Sequence, residues 1–257
     1  MELLEDSAVD VLPTAALLEQ AWAAARSCEP EGYEEAVALF RSAAARDHGC
    51  AEACAGLAEA YAHWGFRREL AGLESRSYYR LALEHAERGV ELDPDSAHAR
   101  RGLSVALRRG EGADPERRLK QARLAVQLDP HAAEGWYELW RASGYALDDP
   151  SIRNALSMRP KYFAALHDLG VALCEHDRPV EALRFLDRAI AVNPGSGMAR
   201  YNRAMTLESL GRVREARSEL RALAQARPED RLCSDALRRL ETIHGPYWRR
   251  TSTATPT

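Results

Sequence analysis

Residues 166–194 read LHDLGVALCEHDRPVEALRFLDRAIAVNP, and this stretch decides the fold. Its apolar residues recur at helical spacing in two runs, 166–173 and 182–189, and Pro194 follows the second run. A proline at that place ends a helix, because it lacks an N–H and its ring clashes with the preceding turn. The stretch therefore predicts a helical hairpin in which small residues such as Gly170 let the two helices approach closely.

The same ending occurs five times along the chain. The closing prolines are Pro94, Pro130, Pro160, Pro194 and Pro228, at spacings of 36, 30, 34 and 34 residues. A period of this length indicates one supersecondary unit that is copied, so that stacked copies bury a continuous core. We expect six helical hairpins and no strand. Their approximate bounds are 12–50, 51–96, 97–132, 133–162, 163–196 and 197–230.

The C-terminal part departs from the repeat. One amphipathic helix at 231–244 is predicted to cap the last hairpin, which would otherwise expose its apolar face. Residues 1–245 are thus expected to form one domain, and the polar residues 246–257 a disordered tail. The segment that begins this tail, PYWRR at 246–250, would either bind a partner or fold back on the cap.

The repeats resemble those of the tetratricopeptide repeat (TPR) family, whose pattern is W-x2-L-G-x2-Y, then A-x3-F and a closing P, at a period of about 34 residues. The resemblance covers nearly the whole chain. It implies an all-α, right-handed superhelical solenoid in which the first helix of each hairpin lines a concave face. It also implies a noncatalytic protein that holds an extended peptide or a partner helix in that groove.

Two repeats differ from the pattern. In the second, the interval from the core Leu to the small Ala is 25 residues against 13 in the cleanest copy, and the extra residues lie near 64–77. They either lengthen the helices or add a loop, or they contact a partner through Trp64, Phe66 and Tyr78. The fourth repeat is short and has Trp140 where the family usually has Gly or Ala. We expect its indole to fill the missing core volume rather than to contact a ligand.

The composition narrows the class of protein. Of 257 residues, 46% are hydrophobic and 29% charged, and no run of about 18 apolar residues predicts a transmembrane segment. The 35 Lys and Arg against 39 Asp and Glu give a net charge of -4, which disfavours a nucleic-acid partner. The acidic N-terminus lacks the features of a secretory leader, and five cysteines are too few for a disulfide scaffold. We therefore expect a cytoplasmic protein, and the Arg- and Ala-rich composition favours a bacterial source.

The charge is uneven along the chain. Residues 1–50 contain ten acids against three arginines, whereas residues 199–257 contain twelve arginines against seven acids. Opposite charges at the two ends of a solenoid attract each other, although salt screens them. The sequence therefore raises the hypothesis of a weak, head-to-tail homo-oligomer.

The concave groove of such a fold is lined by residues two before and two after the core Leu of each first helix, and by residues one turn further along. The residues that we nominate are Arg101, Val105, Arg108, Tyr137, Arg141, Tyr145, His167, Val171, Tyr201, Asn202 and Met205. Arg, Tyr and Met are typical anchors at interfaces, so we expect an acidic-aromatic protein or peptide partner. The alternative is that they are ordinary exposed side chains. Glu138 and Asp168 disfavour a clamp for a chaperone's C-terminal carboxylate, for which only Asn202 is suitably placed.

Two other binding functions are compatible with a helical solenoid. A small-molecule or lipid carrier is the alternative, in which Trp136, Trp140 and Tyr145 would line an apolar cavity of the irregular central repeats. An RNA-binding repeat protein is disfavoured by acidic residues such as Glu134 and Glu175 on the groove helices.

Catalytic and metal chemistry have little support in the sequence. His48, Cys50 and Cys54 are the best metal candidates, but no second ligand pair follows at zinc-ligand spacing. No phosphate-binding loop and no hydrolase or metalloprotease motif is present. One further cluster contains residue types suited to nucleophilic chemistry, and we interpret it as groove surface. It comprises His167, Asp168, Cys174 and His176. We predict no enzyme, no metal and no cofactor.

Overall fold

The computed structural model describes residues 12–226 and 231–243, and these ranges contain thirteen helices and no strand. The first eight helices are α1 (Thr14–Ala25), α2 (Pro30–Arg46), α3 (Ala51–Leu70), α4 (Arg76–Leu92), α5 (Ala97–Ala106), α6 (Pro115–Leu128), α7 (Ala133–Ala142) and α8 (Pro150–Met158). The next five are α9 (Phe163–Glu175), α10 (Pro179–Val192), α11 (Gly197–Ser209), α12 (Val213–Ala226) and α13 (Arg231–Ile243). The predicted all-α fold of six hairpins and one further helix is confirmed.

The chain divides into two compact units, Met1–Pro160 with helices α1 to α8 and Lys161–Thr257 with helices α9 to α13. A single domain over 1–245 stays a prediction, and the tail predicted at 246–257 lies outside the described residues. In the described ranges, no helix has both the length and the apolar character that are needed to cross a membrane.

Prolines and polar caps set the helix bounds. The first residue of α2, α6, α8 and α10 is a proline, at a position where the missing N–H would have no partner within the helix. At the start of α5, the Ser96 Oγ accepts a hydrogen bond from the Ala99 N–H at 3.2 Å, which caps the helix. Helix α4 ends at Leu92, two residues before Pro94, as the repeat pattern predicts.

Close helix packing in unit 1 depends on small residues. The Phe40 side chain of α2 is fully buried and packs over Gly56 of α3. A β-carbon at Gly56 would lie 2.3 Å from two ring carbons of Phe40, closer than any side chain can approach. Gly102 of α5 likewise approaches the backbone of Ala55 in α3, where an added β-carbon would lie at 3.1 Å. The glycines thus bring neighbouring helices into direct contact.

Unit 2 contains the cleanest hairpin, which is formed by α9 and α10. Gly170 faces Leu186, and a β-carbon at this glycine would lie 2.8 Å from the Leu186 Cγ. Helix α13 packs against the last hairpin, and its Ala236 and Leu240 share a buried cluster with Leu220 of α12. Because α13 covers the apolar side of α12, it acts as the capping helix that the sequence predicts.

Of the twelve extra residues of the second repeat, ten lengthen its helices and two lengthen the loop between them. Helix α3 has 20 residues and α4 has 17, whereas α9 has 13 and α10 has 14. Trp64 and Tyr78 meet edge to face across the lengthened hairpin, with ring centroids 5.0 Å apart. The insertion therefore lies mostly in longer helices, and the contact between Trp64 and Tyr78 helps to hold them together.

Trp140 fills the core of the short fourth hairpin, as predicted. It is the eighth residue of α7, the place that Gly170 takes in α9, and none of it is exposed. Its indole N–H donates to the Ala146 carbonyl at 2.8 Å, and its ring meets Tyr145 edge to face at 5.0 Å. Helix α8 has only 9 residues, so the indole replaces packing volume that a longer second helix would supply.

Candidate functional site

The first helices of successive hairpins lie side by side in each unit. We call the surface of α1, α3, α5 and α7 the first-helix face of unit 1, and that of α9 and α11 the first-helix face of unit 2. The predicted groove residues take the fifth and ninth places of their helices: Arg101 and Val105, Tyr137 and Arg141, His167 and Val171, and Tyr201 and Met205. By the same count, Glu59 is the ninth residue of α3, although it is not among the residues that the sequence nominates for the groove.

Charges on the first-helix face of unit 1 are paired with one another. Arg101 donates through Nε to Glu59 Oε1 at 2.7 Å, and both side chains are largely buried. The Arg101 guanidinium also lies 5.1 Å from the ring centre of Trp22, whose indole N–H donates to Glu52 at 2.8 Å. Burial raises the pKa of Glu59, and Arg101 opposes that rise. Arg101 and Glu59 therefore neutralise each other's charge on this face.

Glu138 is the centre of a second buried network, with only 2% of the residue exposed. Its Oε1 accepts from Ser104 Oγ at 2.8 Å and from two nitrogens of Arg118, Nη2 at 2.9 Å and Nε at 3.1 Å. Its Oε2 accepts from Arg141 Nη1 at 3.2 Å. Two arginines and a hydroxyl thus satisfy one carboxylate, and this explains how an acidic residue is accommodated inside the solenoid.

Burial corrects the groove prediction in unit 1. Arg101, Val105, Tyr137 and Arg141 were expected to offer their side chains to a partner, but they are only 6%, 4%, 7% and 4% exposed. The two arginines are drawn inward by buried carboxylates, Glu59 of another helix and Glu138 of the same one. The expected acidic partner was based on three arginines. Two of them, Arg101 and Arg141, are paired with carboxylates of unit 1 instead.

The remaining nominated residues of unit 1 lie at the end of the face. Arg108 and Arg109 both stack on Phe66, at 5.5 and 4.3 Å from its ring centre, beside a water-sized cavity of about 10 Å³. Tyr145 is half-buried against Trp140. Phe66, expected as a partner anchor, is thus covered by arginines of its own unit.

The first-helix face of unit 2 presents the other nominated residues. His167, Val171, Tyr201, Asn202 and Met205 are all half-buried, so their side chains reach the surface. His167 joins the two helices, because its Nε2 accepts from the Asn202 amide at 2.8 Å while its Nδ1 donates to Asp168 at 2.9 Å. This face is held in place by hydrogen bonds and apolar packing rather than by buried arginine–carboxylate pairs.

The residues suited to nucleophilic chemistry do not form a catalytic set. Both ring nitrogens of His167 are engaged with Asp168 and Asn202. Cys174 lies 3.0 Å from the Thr206 hydroxyl, and the His176 Nδ1 lies 2.8 Å from a backbone carbonyl. Nucleophilic chemistry needs at least a thiol and a base in hydrogen-bond contact. Here Cys174 contacts a hydroxyl, and the contacts of the two histidines described above are with groups other than Cys174.

The cysteines nominated for a metal have structural roles. Cys50 caps α3, where its Sγ accepts from the Ala53 N–H at 3.4 Å. Cys54 is buried on the next turn, and burial raises the pKa of its thiol. The His48 Nδ1 lies 3.1 Å from the carbonyl of Ala44. No group of three or more His, Cys, Asp or Glu residues suited to a metal ion occurs within 12–226 and 231–243.

The aromatic residues of the carrier alternative pack into the fold. Trp140 is fully buried, and the Trp136 indole N–H donates to the Pro130 carbonyl at 2.8 Å. Tyr145 lies against Trp140 and close to Arg141, whose Nε donates to its hydroxyl at 3.4 Å. Each of these three side chains thus makes a hydrogen bond within unit 1, and only Trp140 is fully buried.

Comparison with known families identifies the repeat. A family model described as tetratricopeptide repeat matches residues 173–240, which span the last part of α9 and reach into α13. Over residues 173–240, the chain is similar to the tetratricopeptide repeat (TPR) family. Its hairpins, small-residue contacts and closing prolines are those that the family pattern requires. No curated protein matches the sequence.

Several solved structures are similar in fold to this chain at low sequence identity. A thermophilic TPR protein of Thermus thermophilus is 18% identical with a TM-score of 0.56, over 71% of this chain and 98% of that one. The human IFIT1 dimer, solved with m7Gppp-AAAA, is 19% identical with a TM-score of 0.66, over 82% of this chain and 50% of that one. The APC/C hetero-tetramer Cut9-Hcn1 is 14% identical with a TM-score of 0.60, over 82% of this chain and 40% of that one.

Proposed function

We propose that this protein is a cytoplasmic, noncatalytic TPR scaffold that holds a partner peptide or helix on its first helices. The observation that carries the proposal is the first-helix face of unit 2, where Val171, Tyr201 and Met205 are half-buried side by side on α9 and α11. Apolar and aromatic side chains that are held in place but still accessible are the usual anchors of a peptide interface.

The contrast between the two units supports this placement. In unit 1 three of the six fifth and ninth places on α3, α5 and α7 hold charged residues, and these are buried in ion pairs such as that of Arg101 with Glu59. A partner that docked there would have to break these pairs, and an unpaired buried charge costs about 3–5 kcal/mol. In unit 2 the same places hold uncharged or weakly basic side chains, so that a partner would cover apolar surface at little electrostatic cost.

Two valines provide a matched test. Val171 lies on the first-helix face of unit 2, and Val180 lies on the second helix α10 with 58% exposure. We would capture partners from the native cell with the wild type, Val171→Asp and Val180→Asp, and then measure the affinity of each captured protein for all three. A groove partner binds Val180→Asp like the wild type and binds Val171→Asp at least about tenfold more weakly, which corresponds to about 1.4 kcal/mol.

Folding must be equal for this comparison, so circular dichroism and the unfolding midpoint are measured on each variant. If Val171→Asp unfolds early, Tyr201→Ala replaces it, since that change removes an anchor without adding a charge. A partner that binds the wild type and both face variants with equal affinity would rule out the first-helix face of unit 2 as the binding site.

A further inference from the structure

Trp22 joins three first helices on the face of unit 1. It is the ninth residue of α1, and its ring centre lies 6.0 Å from that of His98 and 5.1 Å from the guanidinium of Arg101, both on α5. Its indole N–H donates to Glu52 of α3 at 2.8 Å. One side chain thus connects the first hairpin with the third across the second. We call Trp22 with its contacts to Glu52, His98 and Arg101 the Trp22 latch.

Small residues on α3 and α5 let these side chains meet. Ala55 is the fifth residue of α3, the place that Arg101 takes in α5, and it is fully buried. Gly102 of α5 lies against the backbone of Ala55, which holds α5 close to α3. Trp22 also meets the buried ring of Phe40 edge to face, with the centroids 4.8 Å apart. The indole therefore links a core residue to two residues of α5.

His98 is the titratable member of the latch, and it is half-buried. The charged groups that act on it come from its own helix, from two neighbouring first helices and from the loop before α7: Arg101, Glu52, Glu134 and Asp129. Helix α1 adds the uncharged ring of Trp22. Two of the charged groups have partners of their own, since Glu134 is paired with Arg159 at 2.6 Å and Arg101 with Glu59 at 2.7 Å.

The closed latch takes up a proton less readily than an isolated histidine does. Burial lowers the pKa of His98 below its ordinary value of 6.5, Arg101 lowers it further, and the carboxylates oppose the fall. A proton on His98 would place a second positive charge beside Arg101, where both side chains lie against Trp22. A conformation in which His98 is in water has the ordinary pKa, so acid favours that conformation over the closed one.

We propose that the Trp22 latch closes the first-helix face of unit 1 at neutral pH and opens when His98 is protonated. In the open form the indole leaves Glu52 and α5, so that an aromatic side chain and a carboxylate that now satisfy each other become accessible. Histidine protonation is a common trigger for such a change in packing. The latch belongs to unit 1 and is independent of the proposed function, which uses unit 2.

Solvent exchange of the Trp22 indole hydrogen tests the latch in the full chain, because this hydrogen is bonded to Glu52 when the latch is closed. We would measure the exchange rate by NMR, with Trp22→Phe to identify the signal. The wild type and His98→Gln are compared at the same pH, so that the intrinsic pH dependence of exchange cancels. Their rates should be equal at neutral pH. In acid the wild type should exchange about tenfold faster for each pH unit by which the pKa of His98 lies below 6.5.

His85→Gln is the matched control. His85 is also half-buried in unit 1 and its pKa is also lowered by burial, but it lies on α4 and stacks on Tyr61. This variant should show the same acid-side acceleration at Trp22 as the wild type. Equal acid-side rates in the wild type and His98→Gln would overturn the proposal. An acceleration that His85→Gln removes would also overturn it, because the opening would then follow the stability of the whole unit.

A second variant keeps the histidine and tests the same device where His98→Gln fails to fold, which circular dichroism shows. Glu134 opposes the fall in the pKa of His98, so Glu134→Gln should lower that pKa. Both the titration of the His98 ring and the acceleration of exchange at Trp22 should then begin at a lower pH than in the wild type. A shifted His98 titration without a shift in the exchange at Trp22 would show that the histidine does not control the latch.

Discussion

Arg101 of α5 and Glu59 of α3 form an ion pair across the first-helix face of unit 1, with 2.7 Å between Nε and Oε1. The two residues are 42 positions apart in the sequence, and their side chains are only 7% and 14% exposed. Neighbouring first helices are therefore joined by a buried charge pair as well as by apolar packing.

Removing one member of this pair should cost far more than removing both. We expect Arg101→Met to lower the free energy of unfolding by about 3–5 kcal/mol, because it leaves Glu59 buried without its counter-charge. The double variant Arg101→Met/Glu59→Met should be more stable than Arg101→Met alone, since it buries no unpaired charge. Urea unfolding followed by circular dichroism measures all three stabilities, and a double variant that is less stable than the single one would contradict this account.

Glu138 should be among the most sensitive positions of unit 1. Replacing it by Ala leaves Arg118 and Arg141 facing each other without a carboxylate, so we expect a loss of about 3–5 kcal/mol in the free energy of unfolding. The matched control is Glu84→Ala, which removes an exposed pair with Arg80 and should change stability by less than about 1 kcal/mol. Similar unfolding midpoints for the two variants would show that the Glu138 network contributes little.

Gly56 tests the close packing of α2 on α3. Alanine gains up to about 1 kcal/mol over glycine from helix propensity, but its β-carbon would collide with the buried ring of Phe40. We expect Gly56→Ala to be destabilising by at least about 1 kcal/mol, because the clash exceeds the propensity gain. Gly49→Ala, where the added carbon would lie 3.4 Å from its nearest neighbour, is the control and should be close to neutral in thermal unfolding.

The stability of the protein should fall with acidification in part through His85. Burial lowers the pKa of His85 below its ordinary value of 6.5, with Arg41 adding to the effect and Glu84 opposing it, and its ring stacks on Tyr61 at 5.7 Å. A lowered pKa means that the unfolded chain takes up the proton first, so stability present above pH 6.5 is lost as the pH falls through the folded-state pKa. The difference in unfolding midpoint between neutral and mildly acidic buffer should therefore be smaller in His85→Gln. An equal difference in both proteins would exclude this contribution.

Much of the fold was predictable because its determinants are local. Closing prolines, proline-started helices and apolar residues at helical spacing act within one hairpin, so their positions in the sequence predict helix bounds such as the end of α4 before Pro94. The role of Trp140 was predictable for the same reason. It is a large residue where the repeat pattern has a small one, and the helix beside it is short, so the indole is expected to fill the core.

The sequence by itself determined the repeat, the hairpins and the register that places residues 101, 137, 167 and 201 on one kind of helix face. The tertiary structure decided which of these side chains a partner can reach. Arg101 and Arg141 are buried because Glu59, from another helix, and Glu138, one turn away, neutralise them, whereas Tyr201 stays accessible. The pairing of Arg101 with Glu59 depends on a distance between two helices that chain folding creates, and a periodic pattern within each helix carries no information about it.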